Sequence, residues 1–119
     1  MVLLSKDMIL AATDLKTEDV ACPEWGGTVR VSEMSGEAYA EYLANAFPEN
    51  DGEKQVKARR FSAVVVACCV VDEAGARVFT VEDAEALARK SRKALDRVFE
   101  AADRLNLLTP RAREAAEKI

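Results

Sequence analysis

The segment that decides the fold runs from Phe61 to Val71, reads FSAVVVACCVV and is apolar at ten of its eleven positions. Arg59-Arg60 precedes this segment, and Asp72-Glu73-Ala74-Gly75 follows it. A helix needs about 20 apolar residues to span a bilayer, so the segment is too short to cross a membrane. We therefore expect it to be the buried centre of a soluble domain.

Two structures compete for this segment. Its five valines favour a strand, because β-branched side chains pack well in sheets. Its surroundings favour a helix, because residues 53–69 contain no glycine or proline and strands usually run for only about four to eight residues. We predict a helix over about residues 54–69. Because its second half is apolar on every face, the other elements must pack around it.

A short helix is predicted near the N-terminus. Ser5 can cap this helix, and Leu4 and Ile9 have the spacing of a hydrophobic staple. We expect it to end near Ala12 and to place Leu4, Met8 and Ile9 on the core.

Turn-forming residues predict two short β-hairpins, at about residues 19–31 and 70–79. The first turns at PEWGG (23–27) and the second at Gly75. Apolar periodicity and capping residues predict about five helices around the buried central helix, so the fold class is α+β and mainly α. We expect one compact domain over residues 1–109, followed by a short C-terminal helix or frayed tail at 110–119.

The charge is divided unevenly along the chain. Residues 1–53 carry eleven acidic and three basic residues, a net −8, whereas residues 54–119 carry ten acidic and fourteen basic residues, a net +4. Nucleic-acid binding requires a concentrated basic patch, so this pattern favours protein partners. The alternative is that both halves merely present solvated charge.

Residues that usually perform catalysis or bind cofactors are missing or badly spaced. The chain has no histidine, and its cysteines, Cys22, Cys68 and Cys69, lack zinc-site spacing. No glycine-rich loop with a following Lys-Ser/Thr precedes a helix. The opening MVLLSKDMIL has no basic stretch before an apolar one, so it is not a secretory signal. We predict no catalytic residue, no cofactor, no metal and no membrane span.

Four aromatic residues are the candidates for a partner-binding surface. Trp25, the only tryptophan, lies at the tip of the first hairpin, where it either covers the hairpin or anchors a partner. Tyr39, Tyr42 and Phe47 recur along the helix that Ser35 caps, either at the edge of the core or on a binding face.

The chain resembles the tail assembly chaperones of phages and prophages with long, non-contractile tails. Over residues 1 to about 109 the resemblance rests on an ordered series of stretches: LLSKDMILAATDLKTEDV (3–20), CPEWGGTVRV (22–31), VVDEAGARVF (70–79) and ALDRVFEAADRLN (94–106). The second and fourth of these, in this order and spacing, are the most specific.

The resemblance implies a non-catalytic chaperone that binds the tape measure protein and the tail tube protein. Such a chaperone acts in the host bacterial cytoplasm, keeps the tape measure soluble until tube subunits polymerise around it, and is not expected in the mature virion. Whether it forms a homo-oligomer stays open. The alternatives are a structural tail or connector protein retained in the virion and a small nucleic-acid-binding regulator, which only the basic second half supports.

Overall fold

The computed structural model describes residues 2–46 and 54–117. Within them lie the α-helices α1 (Lys6–Ala11), α2 (Gly36–Ala46), α3 (Lys54–Cys69), α4 (Ala84–Leu87), α5 (Arg92–Asn106) and α6 (Pro110–Glu117). The strands of the same residues are β1 (Thr17–Cys22), β2 (Gly27–Ser32) and β3 (Val70–Val71). The predicted α+β, mainly α class is confirmed.

Residues 61–69 of the apolar segment form the second half of α3, as predicted, and its last two residues form β3. Every side chain from Ala63 to Cys69 is at most 2% exposed. Helices α2, α4 and α5 pack around this part of the chain. Length and flanking residues therefore decided between helix and strand, and β-propensity did not.

The sheet is antiparallel, in the order β1-β2-β3. Gly26 has a φ of 81°, which closes the turn between β1 and β2 in a conformation that glycine adopts readily. Val20, Cys22 and Val31 point into the core, where α5 covers this face of the sheet. The first predicted hairpin is thus present, over residues 17–32.

The second predicted hairpin is much shorter than expected. Strand β3 has two residues, which pair with β2, and only the bridge between Val71 and Arg77 closes the segment on itself. The side chain of Asp72 accepts hydrogen bonds from the backbone nitrogens of Ala74 (2.9 Å) and Ala76 (3.0 Å). Because a side chain satisfies these donors, the chain turns without building a strand ladder.

The expectation that α1 covers the core is wrong. The helix begins as predicted, with the Ser5 hydroxyl accepting a hydrogen bond from the backbone nitrogen of Met8 (3.3 Å), but none of its residues is buried. Leu4, Met8 and Ile9 are all exposed. A cap and a staple fix where a helix starts, and they do not determine where it docks.

A core substitution tests the central position of α3. We expect Val65→Ala to lower the free energy of unfolding by about 1–2 kcal/mol, because the lost transfer energy and the cavity outweigh the higher helix propensity of alanine. Val78 is 53% exposed, so Val78→Ala should cost less than about 0.5 kcal/mol. Urea unfolding measures both, and equal costs would contradict a buried α3.

Candidate partner-binding surface

The four aromatic candidates occupy different environments. Tyr39 is 45% exposed, whereas Tyr42 is only 3% exposed. Trp25 is partly buried and packs against the core. Phe47 lies outside the described residues. The structure therefore does not gather the three described side chains, those of Trp25, Tyr39 and Tyr42, into one surface patch.

Tyr42 belongs to a series of ring contacts that crosses the core. Its ring centroid lies 5.6 Å from that of Tyr39 and 6.0 Å from that of Phe61, and Phe61 lies 5.7 Å from Phe99 of α5. Burial raises the pKa of the Tyr42 hydroxyl. Tyr42 thus supports Tyr39 from inside the domain and itself presents almost no surface.

Tyr39 forms an exposed apolar pair with Leu43, which is 47% exposed and lies one helical turn further along α2. We call Tyr39 and Leu43 the α2 pair. Sequence reasoning placed both on the apolar face of the helix but chose only the aromatic residue as a candidate. The four-residue spacing was the signal that would have included Leu43.

The tip of the first hairpin is fastened to α5. Arg97 donates from Nη1 to Glu24 Oε1 (2.9 Å) and to the carbonyl oxygen of Ala21 (3.2 Å), and from Nη2 to Glu24 Oε2. The hydrogen bonds from Arg97 lower the pKa of Glu24 to about 2. Trp25 therefore lies on a hairpin tip that is held against the domain.

The largest set of exposed apolar side chains lies where no candidate was predicted. We call residues 2–15 the N-terminal arm. Its exposed apolar side chains are Val2, Leu3, Leu4, Met8, Ile9, Leu10 and Leu15, and those between residues 2 and 10 range from 48% to 91% exposed. At the base of the arm, the backbone nitrogen of Lys16 donates to Glu33 Oε1 (2.7 Å).

A cleft of about 410 Å³ lies beside the base of the arm. It is lined by residues 12–15 and 71–75 and by Thr17, Arg30 and Ser32 of the sheet. Asp14, Asp72 and Glu73 bring three carboxylates to this cleft, against the single cation of Arg30. Arg30 already donates to Asp19 (2.8 and 3.1 Å) and lowers the pKa of that carboxyl.

The three cysteines are buried and form no disulfide. Burial raises the pKa of the Cys69 thiol to about 12, and those of Cys22 and Cys68 are raised for the same reason, so all three thiols are protonated at neutral pH. Across residues 2–46 and 54–117, no group of His, Cys, Asp or Glu side chains is placed to hold a metal ion. No helix in that part of the chain is long and apolar enough to cross a membrane.

A family model and one solved structure are similar to this chain. The family model described as phage tail assembly chaperone matches residues 5–118. The fold is similar to the structure of the bacteriophage HK97 tail assembly chaperone, with a TM-score of 0.62 and 22% sequence identity over 83% of this chain and 94% of that one. No curated protein sequence matches significantly.

Two alanine substitutions on α2 test the different positions of the tyrosines. We expect Tyr42→Ala to lower the free energy of unfolding by about 3 kcal/mol or more, since it empties a large buried site. Tyr39→Ala should cost less than about 1 kcal/mol, because the ring is partly solvated. Urea unfolding with circular dichroism measures both. A larger cost for Tyr39→Ala than for Tyr42→Ala would contradict the burial of Tyr42.

The Glu24–Arg97 pair predicts a pH dependence of stability. The folded pKa of Glu24, about 2, lies below its usual 4.5, so ionised Glu24 stabilises the fold above pH 4.5 and this contribution is lost as the pH falls towards 2. Wild type should therefore lose stability relative to Glu24→Gln over this range, as followed by urea midpoints. As a control, Arg97→Gln is introduced into both wild type and Glu24→Gln. The pH-dependent difference in stability between these two variants should then disappear.

Proposed function

The chain belongs to the phage tail assembly chaperone family, and from this membership we propose that it binds the tape measure protein and the tail tube protein while the tail is built. It acts in the host bacterial cytoplasm as a non-catalytic assembly factor. It keeps the tape measure soluble until tube subunits surround it, and it is absent from the mature virion.

The observation that carries this proposal is exposed apolar surface on a domain whose core is closed. The N-terminal arm and the α2 pair present large apolar side chains that the domain does not use for its own packing. Exposed apolar surface of this kind marks sites of protein interaction. A tape measure protein is a long helical chain with apolar stripes, and a small domain can cover such a stripe by helix-to-helix contact.

Charge supports a protein partner as well. Residues 1–53, which contain the arm, the first hairpin and the α2 pair, carry a net −8. Charges around an apolar contact mainly select the partner and accelerate the encounter. Tyr39 is the most exposed of the three aromatic candidates that the structure describes, and we propose that it contacts the partner together with Leu43 and the accessible edge of Trp25. Phe47 stays a candidate for the same surface, and Tyr42 supports it from the core.

Co-expression tests this function directly. The chain is expressed with the tape measure and tube proteins encoded by the same phage or prophage, and we expect the tape measure to stay in solution and to co-purify with it. Tyr39→Ser/Leu43→Ser should weaken the complex by at least about tenfold, because two apolar contacts are lost. Val78→Ser, at an exposed apolar position outside the α2 pair, is the matched control and should bind normally.

Two outcomes would contradict the proposal: a tape measure protein that is equally soluble without the chain, or one that does not co-purify with it. Release from the tail is measured separately, by mass spectrometry of purified virions, where we expect no stoichiometric amount of the chain. A stoichiometric amount would favour a structural tail or connector protein instead.

A further inference from the structure

The N-terminal arm is apolar, yet the domain does not use it. Helix α1 has no buried residue, although it is properly capped by Ser5. The two hydrogen bonds that join Lys16 and Glu33 fasten the start of β1 to the end of β2, at the base of the arm. An apolar helix outside the core is costly in water unless another surface covers it.

The fold places this arm next to surplus negative charge. Asp14, on the arm itself, shares the cleft with Glu73 from the turn after β3. Asp72 uses one carboxylate oxygen to hold its own turn, and Arg30 is paired with Asp19. Arg30 also interacts electrostatically with Glu73. The three carboxylates of the cleft still outnumber its one cation, and Asp14 and Glu73 are both exposed.

We propose that the N-terminal arm and the acidic cleft together bind a basic amphipathic segment of a partner polypeptide. The apolar stripe of that segment packs on Leu4, Met8 and Ile9, and its lysine or arginine side chains reach Asp14 and Glu73. The inference rests on the proposed chaperone function, since it names the chemistry that the bound partner presents.

Charge complementarity favours this occupant over others. An acidic peptide, or the anionic surface of a membrane, would bring negative charge towards the carboxylates of the cleft. The arm of a second copy would do the same, because it carries Asp7 and Asp14 against Lys6 alone. A basic amphipathic segment can cover the arm with its apolar side chains and place its cations beside the carboxylates of the cleft.

Synthetic helical peptides make the test independent of any natural partner. One peptide of about 18 residues carries leucine along one face and lysine on the flanking positions, and a matched peptide carries glutamate in place of lysine. We expect the whole chain to bind the lysine peptide at least about tenfold more tightly than the glutamate peptide. Raising the salt from about 0.05 M to 0.5 M should reduce this preference, because it screens the charges.

Three variants separate the two parts of the site. Leu4→Ser/Met8→Ser removes two exposed apolar residues from the arm and should weaken binding of the lysine peptide at least about tenfold. Val78→Ser, at an exposed apolar position outside both the arm and the α2 pair, should leave it unaltered. Asp14→Asn/Glu73→Gln should remove the preference for lysine over glutamate. Because all five positions are exposed, the thermal midpoints should stay close to wild type.

Several results would overturn the inference: no binding of the lysine peptide, equal binding of both peptides, or full binding by the arm variant. Sedimentation of wild type and Leu4→Ser/Met8→Ser provides a further check, since loss of a dimer on substitution would assign the arm to a second copy. If the lysine peptide does not bind but the tape measure protein does, only the basic-segment site is disproved. Peptide binding without tape measure binding would disprove the chaperone function proposed above.

Discussion

The fold depends on covering the second half of α3 on all sides. Seven consecutive residues of this helix, Ala63 to Cys69, are at most 2% exposed, so no direction around its axis is left to solvent. A single neighbouring helix can cover only one stripe of another. Helices α2, α4 and α5 therefore each turn their apolar side towards α3, and the sheet closes the domain behind α5. Helix α1 lies outside this enclosure, and none of its residues is buried.

Polar contacts at the rim hold the connecting segments on this core. Arg77 donates to Glu41 of α2 and to the carbonyl oxygen of Ala67 (3.3 Å), so it joins the turn after β3 to two helices. Asn106 accepts from the backbone nitrogen of Met34 (2.8 Å), which joins the start of α2 to the end of α5. Exposed ion pairs contribute only about 0–1 kcal/mol each, so such contacts mainly fix geometry. The turn carrying Glu73 lines the same cleft as the base of the arm.

Local chemistry made most of the elements predictable. The absence of glycine and proline before Val65 indicated α3, the PEWGG turn indicated the first hairpin, and Ser5 marked the start of α1. Tertiary placement was not predictable from such signals. Tyr39 and Tyr42 lie only three residues apart on one face, and the sequence does not say where the core boundary passes between them. The cleft was equally hidden, because Asp14 and Glu73 are brought together by the short pairing of β3 with β2.

A binding surface outside the core suits the release step of the chaperone function proposed above. If the apolar contacts lay in a cavity of the domain, releasing the partner would require the domain to open, which disturbs the packing around α3. The α2 pair and the N-terminal arm lie outside that packing, so binding and release leave the buried helix undisturbed. Contacts formed partly by exposed charges are also weakened by competing charge and salt. A growing assembly that offers the partner a more extensive apolar surface can then displace the domain without unfolding it.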